Sequence, residues 1–458
     1  MDVVVEQTGQ AAKRGIIPRL PTGGRMLADL EAWLRAEYPD EVRFVRPTRP
    51  PAGLAGIGVG LHPAAAELAF TADDLGRVSA RGVVSYLGAG YETFVRRLLE
   101  RIGEELDVAW DGAPPGEVDG TAPSPPADGA PGVAPQTAAD GRARAERDQL
   151  TWLGLALAAA RSTVRGGGGI HLGIDPGVRF DSDAAIVTPL GPRDEGWLER
   201  AADDPRVAIE ICPWWFDATD ARYLLNRALC LMWTEIRWRP PVDDDERNVI
   251  DETLGLLRRA YPLEPTLAFP WHEWQELLTL RGSQTVMTRP DAMGRQVAER
   301  AATLPAPRSP IGYRRREVTV VHGGWRLTVP GSYADHRSED EWSGGEGGRR
   351  ITIAATETGD ERGPMRPQAF LTQVAGDLGE EAIRHEDGDL LGVARLTAGN
   401  EDGISVGVLE GFSAVLGSGA AIRIEFHDPA DWSWAIDQWR SLAPVDREPA
   451  SVARAGRL

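Results

Sequence analysis

The sequence predicts a multidomain α+β protein: a small amino-terminal α+β domain, a helix-rich central domain and a carboxy-terminal α/β sandwich. Three observations carry this expectation. Between Asp111 and Asp140 proline, glycine and alanine dominate and no aromatic residue occurs, so that stretch cannot bury enough apolar surface to offset its ordering entropy. Between residues 142 and 281 apolar residues recur at helical spacing, and after residue 316 they alternate or form β-branched runs. The 458 residues, 42% hydrophobic and 26% charged, suit two to four ordinary domains with real cores. The boundaries read as a flexible leader over 1–23, a domain over 24–110, a disordered linker over 111–141 and a Trp-rich helical domain over 142–298. A second linker follows over 299–315, then the α/β domain over 316–443 and a tail over 444–458.

In the first domain Leu27, Leu30, Trp33 and Leu34 share one face of a helix over 25–38. Short strands are expected at 42–45, 56–61 and 83–86. A second helix over 91–106 aligns Phe94, Leu98, Leu99, Ile102 and Leu106. In the central domain a helix over 149–164 ends at the glycines 166–169. A helix over 221–238, with Leu225, Leu229, Met232 and Ile236 on one stripe, is stopped by Pro240 and Pro241. Asp243 and Glu246 then form a capping-box-like start for a helix to Tyr261. Pro270, suited to a first turn, opens another that ends at Gly282. The last domain reads as strands at 318–321, 325–329, 351–356, 393–396, 404–409 and 421–426. Helices are expected at 367–378 and 432–442, the latter with Trp432, Ile436 and Trp439 along one face.

The stretch GWRLTVP at 324–330, the strand RITIAATET at 350–358 and the terminal DWSWAIDQWRSL at 431–442 together resemble the Mog1/PsbP/DcrB-like α/β sandwich. The resemblance covers about the last 130 residues and rests on element order. It implies a non-enzymatic binding or assembly module and brings no catalytic residues with it.

Fifty basic against sixty-nine acidic residues leave a net charge of −19, a field that repels phosphate backbones and anionic lipid. Nucleic acid and membrane surfaces are therefore not the expected partners. No apolar run reaches the roughly 18 residues of a membrane span, and the first ten residues lack a secretory pattern, so a cytoplasmic setting is expected. Lys13 is the single lysine, an arginine bias typical of a GC-rich, actinobacterial-type coding sequence. This argues against a P-loop nucleotide site and a pyridoxal phosphate Schiff base, both of which need a placed lysine. No cofactor is implied. Cys212 and Cys230 lie in apolar surroundings and read as buried, inert thiols.

Seven of the fifteen tryptophans fall between Trp197 and Trp274. Their plainest reading is an aromatic core; the alternative is a ligand pocket or interface anchor. For such a pocket the candidate residues are Trp214, Trp215, Glu235, Trp238 and Arg239, with Glu235 and Arg239 four apart and able to pair on one helix face. His272 and Glu276, also four apart on a helix, resemble half of a zincin signature and are the candidate metal ligands, although Glu276 stands where that signature has its second histidine. A solvated helix start with Trp271 and Trp274 packed inward is the competing reading. The glycine-rich GGGGIHLGID at 166–175 matches neither phosphate-loop spacing and reads more simply as a turn before a strand. The leading expectation is a non-catalytic binding or accessory protein acting through protein–protein contacts or a pocket in the Trp-rich domain. The alternative is an enzyme whose site is assembled from residues distant in sequence, such as a metal-assisted hydrolase.

Overall fold

The computed structural model describes residues 4–11, 22–48, 50–51, 53–84, 89–111, 138–164, 170–174, 177–180, 186–211, 220–282, 292–338, 340–360, 363–374, 376, 382–401 and 404–445. The expected linker lies almost wholly outside them, and so does the tail from residue 446. In chain order the first elements are β1 (Val4–Ala11), α1 (Gly23–Glu37), β2 (Phe44–Pro47), β3 (Leu54–Gly60), β4 (Leu68–Asp73), β5 (Arg77–Val83), α2 (Ala89–Leu106) and β6 (Val108–Trp110). There follow α3 (Ala138–Val164), β7 (Ile170–His171), β8 (Val178–Phe180), β9 (Ile186–Thr188), β10 (Gly191–Arg193), α4 (Glu195–Asp203), α5 (Ala221–Thr234), α6 (Asp244–Leu263), α7 (Trp271–Gly282) and α8 (Ala292–Thr303). The remainder comprises β11 (Glu317–His322), β12 (Trp325–Pro330), β13 (Ala334–Arg337), β14 (Glu341–Glu346), β15 (Arg349–Glu357), β16 (Gly359–Asp360) and β17 (Gly363–Pro364). After them come α9 (Pro367–Val374), β18 (Ile383–Asp387), β19 (Leu390–Glu401), β20 (Ile404–Val415), β21 (Ser418–Phe426), α10 (Trp432–Ser441) and β22 (Ala443–Pro444).

The elements form a multidomain α+β protein of two compact units. One comprises Met1–Asp175, Ser182–Glu235 and Asn248–Ile311; the other comprises Pro176–Asp181, Ile236–Arg247 and Gly312–Leu458.

In the first unit six antiparallel strands pair in the order β2-β3-β4-β5-β1-β6. The stretch read as a leader supplies β1, which pairs with β5 and with β6. Its strand partners lie some seventy and a hundred residues away, so local pattern gave no hint of it. Helices α1 and α2 bury the apolar stripes their spacing predicts, including Leu27, Leu30 and Leu34 on one and Leu98, Leu99 and Ile102 on the other. Leu190 and Cys230, far along the chain, join this same core. A second core unites Leu153 and Leu157 of α3 with Leu198 of α4 and Ile186 of β9. A third, aromatic cluster packs Tyr261, Phe269, Trp271 and Trp274, with the Trp271 and Trp274 rings stacked at 5.5 Å.

In the second unit a four-stranded sheet runs β22-β12-β11-β8, and a seven-stranded antiparallel sheet runs β13-β14-β15-β21-β20-β19-β18. Neighbouring residues of a strand face opposite sides, and β20 shows which helix covers which side. Gly411 of β20 and Gly392 of β19, which pairs with Ser413, both lie under the Trp439 indole of α10, where added Cβ atoms would sit 2.6 and 2.9 Å from the ring. Phe412 and Ala414 face Phe370 and Leu371 of α9. The larger sheet thus has a helix on each face, with Trp325, Trp342, Trp439 and Phe426 fully buried.

Candidate functional site

The residues singled out from sequence fall in several places. Trp214 and Trp215 lie outside the described residues, as do Cys212 and Asp175. The expected helix to Trp238 is corrected: α5 stops at Thr234, with Glu235 as its C-cap. The four-residue pairing of Glu235 with Arg239 on one helix face therefore does not arise. Pro240 and Pro241 forbid helical continuation, and Trp238 takes a left-handed backbone, φ 56°, which ends the helix several residues earlier than the apolar stripe suggests.

Glu235 belongs to a buried ionic network in the first unit. Arg43 Nη1 and Nη2 donate to its two carboxylate oxygens at 2.9 and 2.7 Å, while Arg43 Nε donates to Glu252 at 3.0 Å. Arg227 Nη2 donates to the same Glu252 at 3.0 Å, and its Nη1 to the Asp40 carbonyl at 2.7 Å. The side chains of Arg43 and Arg227 are only 5% and 4% exposed. Burial pulls the Arg43 guanidinium down, but Glu235 and Glu252 outweigh it and hold the group above its ordinary range. Close by, His62 is driven well below the usual imidazole value, by burial first and then by Arg227 and Arg43. Burial also pushes the Cys230 thiol up, so this free cysteine is the inert thiol expected of it. The network ties Arg43 and Asp40, from the amino-terminal segment, to helices α5 and α6. It is architecture, since each carboxylate already faces a guanidinium.

Trp238 and Arg239 belong to the second unit. The Arg315 guanidinium lies 3.7 Å over the Trp238 ring. Arg239 forks onto Glu246 at 2.6 and 2.8 Å and donates to the Ser332 carbonyl at 2.9 Å. Glu246 also accepts from the Val242 amide at 3.0 Å while its own amide donates to Asp243 Oδ1 at 2.8 Å, so the predicted capping start is present at α6 with its carboxylate shared by Arg239. Arg237 pairs with Asp335, which accepts from Trp342 Nε1 at 3.2 Å. Burial raises the Asp335 carboxyl, yet Arg314 and Arg237 outweigh that and hold it below the usual carboxylate range.

His272 Nε2 lies 3.0 Å from the Pro305 carbonyl, and Glu276 follows it on α7. Among the described residues no group of three or more His, Cys, Asp or Glu side chains is placed to hold a metal. Trp274 is fully buried.

A concavity among the described residues lies in the second unit, on the α10 face of the large sheet. Ala398, Gly407 and Phe426 are partners in one row across β19, β20 and β21. Two of the three have almost no side chain, and a Cβ on Gly407 would overlap the Phe426 ring. The hollow above this row, about 160 Å³, is walled by Phe426, His427, Pro429 and Trp432. The short turn Pro429–Asp431 that carries the wall is held at both ends. Asp428 Oδ1 accepts from the Ala430 amide at 2.9 Å, and Asp431 Oδ2 from Arg349 Nε at 2.8 Å. Trp432, the first residue of α10, is 41% exposed, whereas Trp439 two turns on is buried. Spacing placed both on one apolar face and so missed this site. The signal available was position: the first residue of a helix that follows Asp-Pro-Ala-Asp overhangs the strands.

No protein family matches the chain, and neither does any curated protein. Among solved structures, a crystal structure from Bacteroides thetaiotaomicron VPI-5482 matches with a TM-score of 0.24 and 10% identity over 28% of this chain. The chain spans about half, 47%, of that protein's length, and a likeness at this level carries no argument about fold or function.

Proposed function

We propose that this chain is a non-catalytic binding or accessory protein that engages another protein, with the aromatic hollow of its second unit as the contact site. The observation that carries this reading is the hollow itself: a row of small residues under a rigidly supported rim of Trp432, Pro429 and His427. Recognition sites are concave, mostly apolar and few, and exposed tryptophans are frequent anchors of protein interfaces. Glu235 and Arg239, by contrast, are engaged in internal ion pairs, and His272 in a backbone contact. A helix on each face of an antiparallel sheet also supports the Mog1/PsbP/DcrB-like reading of residues 316–443, whose relatives are mostly binding modules. Among the described residues no helix is long and apolar enough to cross a membrane.

The test is a pair of pull-downs from the native host with the full tagged chain, wild type and Trp432→Ala, followed by mass spectrometry. A stoichiometric protein held by the wild type and lost by the variant is the expected result. Equal capture by both would move the contact elsewhere, and an empty bait that instead turns over small molecules would overturn the reading.

A further inference from the structure

Resting on that reading, we infer that the hollow beside Trp432 receives an arginine side chain from a positively charged segment of the partner protein. The chain already sets arginines on its own indoles. Arg315 lies over Trp238 at 3.7 Å, Arg349 over Trp434 at 4.6 Å and Arg193 over Trp197 at 5.8 Å. In each case a planar cation rests on the electron-rich face of a ring. Among the described residues no cation lies over Trp432, although it is only two residues from Trp434 and its ring borders an open hollow. The space of about 160 Å³ suits one long side chain rather than a helix or a fused-ring ligand.

Charge points the same way. Asp428 sits between two lining residues, His427 and Pro429, and the chain as a whole carries −19. Arg349, which lies over Trp434, is committed to Asp431, so it leaves no free positive charge there to repel a second guanidinium. A cationic segment is steered toward such a surface, and Pro429 beside the Trp432 ring takes up the methylene stem.

The experiment uses the full-length protein with 15N-labelled indoles, the Trp432 resonance being assigned by its loss in Trp432→Phe. It is titrated with three blocked tripeptides, Gly-X-Gly, in which X is arginine, citrulline or norleucine. The arginine peptide is expected to shift the Trp432 resonance saturably and to bind about 3- to 30-fold more tightly than the citrulline peptide, the range that corresponds to a cation–ring contact. It should weaken in 0.5 M salt, and Trp432→Ala should bind none of the three. Because Trp432 is exposed, that variant keeps its fold, which circular dichroism verifies. Equal binding of arginine and citrulline peptides, or tighter binding of norleucine, overturns the inference and makes the hollow an apolar-side-chain site. A shift that saturates elsewhere and leaves Trp432 unmoved overturns it as well, as does the absence of any shift. In all three cases the pull-down comparison still decides separately whether the chain is a binding protein at this face.

Discussion

Arg43 and Glu235, 192 residues apart in sequence, meet as a two-pronged ion pair with N–O distances of 2.9 and 2.7 Å inside the first unit. Arg43 also reaches Glu252, so removing it strands Glu235 and leaves Glu252 to Arg227 alone. Breaking a buried pair from one side is costly because the remaining charge loses its partner without regaining water. Arg43→Ala is expected to destabilise by about 3 kcal/mol, measured by chemical denaturation. A double-mutant cycle with Glu235→Gln should show strong coupling. Purely additive costs would mean that the pair contributes nothing jointly.

His62 gives stability a pH dependence of definite sign. Its folded-state imidazole is held well below 6.5 by burial and by Arg227 and Arg43, whereas in the unfolded chain it protonates near the ordinary value. Below pH about 6.5 the unfolded state therefore binds the extra proton, and stability falls with pH at a limiting slope of about 1.4 kcal/mol per unit. Above that window the effect vanishes. His62→Asn, which keeps an acceptor for the Ala64 amide that donates to His62 Nδ1 at 3.1 Å, should show a shallower slope between pH 6.5 and 5.5. A native imidazole titrating near 6.5 by NMR would contradict this.

Asp335 works in the opposite sense. Its folded carboxyl is depressed despite burial, because Arg314 and Arg237 stand beside it. The stability it contributes is present above its unfolded value and is lost as pH falls through the folded one. Asp335→Asn should cost about 3 kcal/mol at neutral pH, and the gap from wild type should close below pH about 3.8. A gap of constant size from pH 7 to 3 would show that the charge is not what matters there.

Gly312 is held at φ 123°, and a Cβ there would overlap the indole nitrogen of Trp238. Gly312→Ala is expected to cost about 2 kcal/mol or more, from backbone strain and displacement of the ring from under Arg315. Thermal denaturation and the tryptophan emission spectrum would report both effects. An unchanged melting temperature would mean that the loop relaxes freely.

Cys230 should resist thiol reagents in the native state, since burial both shields it and holds it protonated. In a Cys212→Ser background, mass spectrometry should find Cys230 unmodified until denaturant is added. Rapid native labelling would indicate frequent local opening of α5.

How much of this was legible in the chain depends on the range of the forces involved. Helices α1, α2 and α7 were readable within a few residues because an apolar stripe, a proline and a terminal glycine act over one or two turns. Strands β11, β12, β15 and β21 were readable from alternation and β-branched runs. Strands β1, β13, β14 and β18 were not, because a strand completes its hydrogen bonds with residues far away, and a short polar one declares itself only through its partner. The tryptophans divided in the same way. Composition made an aromatic core the plain expectation, and Trp271 and Trp274 stack as part of one. Helical periodicity alone, however, did not distinguish buried Trp439 from exposed Trp432 on the same face.

The sequence by itself determined the α+β character, the acidic surface and the absence of lysine-dependent motifs, all of which follow from composition and local periodicity. Only the tertiary structure decided that Glu235 faces Arg43, that Arg239 faces Glu246, and that Ala398 and Gly407 open a hollow beneath Trp432. Those relations depend on strand register and helix placement, which are settled by packing across hundreds of residues and leave no mark in the spacing of neighbours.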